Sequence, residues 1–90
     1  MAMKTDSSVI RQMEYDIHST ETRIEEAMGI IQNIHRKTND WNDEVGVEFQ
    51  RVLNSIARSL EDPRDTLIDA QPRLEKLASI VDRYAEMRFH

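Results

Sequence analysis

The chain contains no cysteine, so neither a disulfide framework nor a thiolate metal site is available to hold it together. Glycine and proline occur only twice each in 90 residues, which leaves no glycine-rich phosphate loop and few natural breaks. No apolar run is long enough to span a membrane. The opening Met-Ala-Met-Lys-Thr-Asp-Ser-Ser has no apolar centre of a cleavable leader, so export would need another recognition route. Basic excess is missing as well. The formal charge is −5, with 5 basic and 9 acidic residues up to Val45 and 7 and 8 after it, which argues against nucleic acid and anionic membranes as partners.

What the chain does have is a seven-residue period. Ile10, Ile17, Ile24 and Ile31 form one line, and Met13, Thr20, Ala27, Ile34 and Trp41 form a second beside it. After an interruption at residues 38–43, Leu53, Leu60, Leu67, Leu74 and Val81 form a third line, and Phe49, Ile56, Ala70, Leu77 and Tyr84 a fourth. Such spacing predicts the seams of two long amphipathic helices. Two helices joined by a short connection bury their stripes first against each other, so the fold class is all-α, an antiparallel hairpin in one domain. Ordering each residue costs roughly 1–2 kcal/mol of backbone entropy, which one seam barely offsets, so pairing with a second hairpin into a four-helix bundle is expected.

Local signals set the boundaries. Asp6-Ser7-Ser8 offers N-caps for a helix over about 7–37, and Arg36 and Lys37 suit the negative end of its dipole. Gly29 inside this helix predicts a close approach by another helix. Thr38-Asn39-Asp40 and Asn42-Asp43 are turn formers, and Asp40 or Asp43 can cap a second helix over about 44–87. Pro63 follows a good cap, Asp62, whereas Pro72 reads as a kink. The heptad phase is the same on both sides of each proline, so one bent helix is expected, with a break near Glu61–Asp62 as the alternative. With helix one starting near Ser7, the stretch from Leu77 to Met87 and Phe89 is expected to overhang it and to need a partner chain.

Catalytic chemistry is not apparent. His18, His35 and His90 are isolated from one another, and the adjacent pairs Glu25-Glu26 and Glu61-Asp62 do not share a helix face. No serine stands on a strained glycine elbow. Neither an enzyme nor a cofactor is expected, and no small-molecule substrate.

The turn carries the most specific signal. Trp41-Asn42-Asp43 lies between the helices, Phe49 follows eight residues after the tryptophan, and Tyr84 stands near the end of helix two. A structural role suffices for the tryptophan, whose ring can close the hairpin core over Ile34, Val45 and Phe49. The same arrangement, from about Ser7 to Met87, resembles the WXG family of small helical hairpins handled by type VII secretion systems. Asp43 stands where that family has its turn glycine. Arg88 stands where an acidic residue four positions after the tyrosine completes the family's export signal.

The resemblance implies a non-catalytic substrate or escort, secreted without a cleavable signal peptide and cytoplasmic before export. It implies pairing with itself, with a second WXG-like hairpin or with the helical domain of a larger secreted toxin, and recognition of the pair by a secretion ATPase. Trp41, Asp43 and Phe49 would form its turn motif and Tyr84 a candidate export signal. Ile10, Ile17, Ile24, Ile31, Leu53, Ile56, Leu60, Leu67, Leu74, Leu77 and Val81 would supply the dimer and core seam. The alternative is a cytoplasmic helical adaptor or secretion chaperone that shares only the hairpin geometry.

Overall fold

A computed structural model describes residues 6–88, and Phe89 and His90, named above, lie outside them. Two helices, α1 (Ser7–Thr38) and α2 (Glu44–Arg88), pack against each other as an antiparallel hairpin. No strand occurs among the described residues. The Cα trace measures 72 × 23 × 14 Å, so the molecule is a slab one helix thick. At about 1.5 Å per residue, the 45 residues of α2 account for nearly all of that length.

Each end is capped from its own sequence. Asp6 has extended backbone and accepts a hydrogen bond at 2.9 Å from the Ser8 amide, while His35, Arg36 and Lys37 occupy the last turn of α1. At the start of α2 the Asp43 carboxylate accepts from the Gly46 amide at 2.8 Å and its carbonyl from the Val47 amide at 2.9 Å. Pro63 and Pro72 both lie inside α2, which runs through them without a break at Glu61–Asp62. Both prolines are exposed, so the carbonyls that lose a ladder donor are near water.

The seam differs from the predicted one in a regular way. The isoleucine line of α1 and the leucine line of α2 face the opposite helix, with Leu53 only 6% exposed. The second line on each helix, however, is displaced by one residue. Glu14, Glu21 and Met28 face α2 in place of Met13, Thr20 and Ala27. On α2, Gln50, Ala57, Arg64, Gln71 and Ala78 form the inner line, one residue beyond the expected Phe49, Ile56, Ala70 and Leu77; Ala78 is fully buried, Phe49 and Ala70 remain half-buried, and Ile56 and Leu77 are exposed. Ile56 and Leu77 are therefore not in the hairpin seam; they are 44% and 51% exposed.

Several polar side chains of the inner line meet across the seam. Gln71 donates to Glu21 at 2.9 Å, the Arg64 guanidinium lies 3.8 Å from the Met28 sulfur, and Gln50 donates to the Thr38 carbonyl at 3.0 Å and hydroxyl at 2.7 Å. Gln71, Glu21 and Gln50 are thereby satisfied across the seam, whereas Glu14 on the same inner line keeps one carboxylate oxygen without a partner. The apolar line beside them is left on the flank.

Two other expectations are corrected. Gly29 is exposed, and a Cβ built there meets nothing within 4 Å, so no helix of this chain approaches it closely. The overhang of α2 is also shorter than predicted. Arg11 bonds to Glu75 at 2.9 Å and to Asp82 at 3.0 Å, so α1 covers α2 as far as Asp82. Leu77 is exposed because of its direction around the helix, not because α1 ends too early.

Candidate interaction surface

In an antiparallel pair, the positions one residue before the seam line fall on the same face of both helices, and those four residues after it fall on the other. The contacts follow this geometry. Trp41 and Phe49 meet on the first face with ring centroids 5.5 Å apart and planes inclined by 43°, and Arg11 meets Glu75 and Asp82 on the second. The displaced apolar residues of α1 and α2 consequently share one face of the slab. Met13 (53% exposed), Leu77 (51%) and Tyr84 (73%) lie along it with Ile56, and Val9, Ile30, Val45, Val52, Ile80 and Met87 extend it sideways. Among the described residues, the opposite face carries Tyr15, Val47 and Ile68 as large exposed apolar groups.

The turn end of this face is the best-built part of it. Gly46 is buried, and a Cβ placed on it would lie 2.3 Å from the Trp41 carbonyl oxygen and 2.6 Å from its Cγ. Only a glycine lets the tryptophan lie down on the first turn of α2. The Trp41 amide donates to the Thr38 carbonyl at 3.0 Å, which fixes the approach. The Asp43 carboxyl is held below its ordinary pKa by the Gly46 amide and then by a hydrogen bond with the Trp41 side chain. Trp41, Val45, Phe49 and Val52 thus line a shallow apolar groove bordered by Glu44 and Glu48. Trp41 is 40% exposed, so its ring is partly packed and partly presented. Gly46 carries no signal that sequence reasoning used; its spacing of five from the tryptophan becomes meaningful only when the turn is seen.

The open end is electrostatically different. Glu14 points into the seam, its Oε1 sealed from water and without a hydrogen-bond partner. Desolvation first, and then the neighbouring Glu75 carboxyl, push the Glu14 pKa up against a smaller opposing pull from Arg11. Nearby, the Ser7 hydroxyl and then Arg11 lower that of Asp82. At the turn end, His35 Nδ1 is hydrogen-bonded to the Gln50 amide oxygen, and further along His18 stands 4.0 Å from Glu21. No group of three or more His, Cys, Asp or Glu side chains is placed to hold a metal ion among the described residues. No described helix is long and apolar enough to cross a membrane.

Tyr84 stands with its ring exposed on the apolar face rather than laid against a core. The structure thus brings Trp41, Asp43 and Phe49 together at the turn, with Tyr84 at the far end of the same face. Comparison with known proteins gives no matching family model, curated protein or solved structure.

Proposed function

We propose that this protein is a non-catalytic helical pairing module that travels as a substrate or co-secreted escort of a type VII secretion system. The observation that supports this reading most is the single apolar face, which runs from the Trp41–Phe49 pair at the turn to Tyr84 near the end of α2. Large apolar side chains gathered on one face of a small protein mark a protein–protein surface. A second amphipathic hairpin laid on that face would complete a four-helix bundle. The candidate partners are a copy of this chain, another WXG-like hairpin or the helical domain of a larger toxin, with the secretion ATPase reading the assembled pair.

Arg88 stands four residues after Tyr84, where the family's signal has an acid. A cation at that point opposes a receptor built for a carboxylate, so export is expected only with a partner that carries its own signal. That same residue favours the second reading, a cytoplasmic adaptor or secretion chaperone. The two separate in a host with an active type VII system, by following this chain in the medium with and without its genomic neighbours. Export that depends on a neighbour supports the escort role. Export of the lone chain, abolished by Tyr84→Ala, would place the signal here. No export under any pairing would return the protein to the adaptor class.

A further inference from the structure

We propose that Met28 is an oxidation-responsive site, at which a hydroperoxide converts the thioether to a sulfoxide that Arg64 holds, so that oxidation tightens the hairpin instead of opening it. The site lies in the hairpin seam and does not depend on what covers the apolar face. Two observations carry it: a charged donor without an oxygen acceptor, and a sulfur in the place where that acceptor would stand.

The donor is the Arg64 guanidinium, whose side chain is 31% exposed. Its Nε and Nη2 both donate to Asp65 Oδ1, at 3.2 and 3.1 Å. Nη1 instead reaches across the seam, and its acceptor among the described residues is the Met28 sulfur at 3.8 Å. A thioether is a weak acceptor, so this nitrogen of a cation drawn partly out of water is under-satisfied. Elsewhere on the inner line, cross-seam hydrogen bonds join nitrogen to oxygen, as in Gln71 with Glu21 and Gln50 with Thr38. At Met28 the acceptor is sulfur.

Oxidation supplies the missing oxygen. The thioether attacks one oxygen of hydrogen peroxide, the O–O bond breaks, that oxygen stays on sulfur, and the other leaves as water with both hydrogens. Sulfur loses two electrons and the peroxide gains the same two. The new oxygen stands one bond from the sulfur, and on the side toward Arg64 it falls within ordinary N–H···O reach of Nη1. A sulfoxide in an apolar seam is disruptive because its oxygen is buried without a donor. Here the donor is already in place and carries a charge, which makes the new hydrogen bond one of the strong class. Met13 and Met87 are 53% and 77% exposed, so an oxygen added to either goes into water and leaves the seam as it was.

The test is thermal unfolding of the full chain at one fixed concentration, followed by circular dichroism before and after hydrogen peroxide, with conversion of Met28 read from the mass of its peptide. The oxidised wild type is expected to melt roughly 4–8 °C higher, the shift that a gain the size of one hydrogen bond gives a small domain. In Arg64→Leu the sign should reverse, and in Met28→Leu peroxide should leave the melting temperature unmoved. Methionine sulfoxide reductase acting on the oxidised wild type should return it to its starting value. A fall in melting temperature on conversion of wild-type Met28 would overturn the proposal. So would a rise that persists in Met28→Leu, since another methionine would then be responsible. Should Arg64→Leu not fold, the Arg64 guanidinium resonances of the wild type decide by nuclear magnetic resonance: oxidation should slow their exchange with water, and unchanged exchange would rule the sulfoxide contact out.

Discussion

At the scale of single residues, the two glycines have opposite meanings. Gly46 is where Trp41 lies against the backbone, and any Cβ there collides with main-chain atoms that cannot swing aside. Gly46→Ala is expected to cost roughly 1–3 kcal/mol by overpacking, with the tryptophan fluorescence shifted toward that of a solvated indole. Gly29 sits in an exposed helix interior with open space around it. Gly29→Ala should therefore stabilise the chain by about 0.5–1 kcal/mol in denaturant titration. A loss of stability there would mean that a partner helix does approach this position. The sequence pointed to Gly29 as the glycine in a close contact and gave Gly46, in the first turn of the second helix, no packing role.

At the scale of the elements, the helices and the turn could be read from the sequence because each depends on local information. The seven-residue period, the caps at Asp6 and Asp43 and the unbroken phase across both prolines are properties of short windows. The isoleucine and leucine lines were legible for the same reason. Which neighbouring line completes the seam was not. That depends on matches such as Gln71 with Glu21, fifty residues apart, and the local pattern points instead to the more apolar Met13, Ile56 and Leu77. Ile56 and Leu77 were thus visible as an apolar line, but their place on the flank of the hairpin instead of in its seam was not.

The polar seam also gives the helices a pH response. Glu14 has a raised pKa, so its protonation favours the folded state; stability should rise as pH falls from neutrality toward about 4.3. Asp6, Asp43 and Asp82 have lowered values, so the stability they contribute is present at higher pH and lost as pH falls below about 3.9. Thermal unfolding followed by circular dichroism should accordingly peak in mild acid. Glu14→Gln should raise the melting temperature at pH 7 and remove the rise on acidification. A wild-type melting temperature that only falls from pH 7 downward would contradict the placement of this carboxyl in the seam.

At the scale of the whole molecule, a slab 14 Å thick has no interior beyond its single seam. Stability then rests on few residues, and the two apolar sets should respond differently. Leu67→Asp puts a charge into the seam and is expected to cost more than about 2 kcal/mol, enough to unfold a marginal chain. Leu77→Asp, measured at concentrations where the chain is monomeric, should change stability by about 0.5 kcal/mol or less. Equal effects would mean that the seam does not divide these residues as described.

The single covalent turn has a mechanical consequence. The helices meet level by level from Thr38 opposite Gln50 to Arg11 opposite Asp82, and only the first of these levels is tethered. Such a ladder behaves as a zipper. Parting the far levels releases chain entropy without disturbing the near ones, so the free energy of opening accumulates with distance from the tip instead of being spent all at once. Backbone amides near the turn should exchange with solvent only through long excursions, and those beside Arg11 and Asp82 through short ones. A partner that engages the loose end first would then find two helices already parting, and could close them from outside.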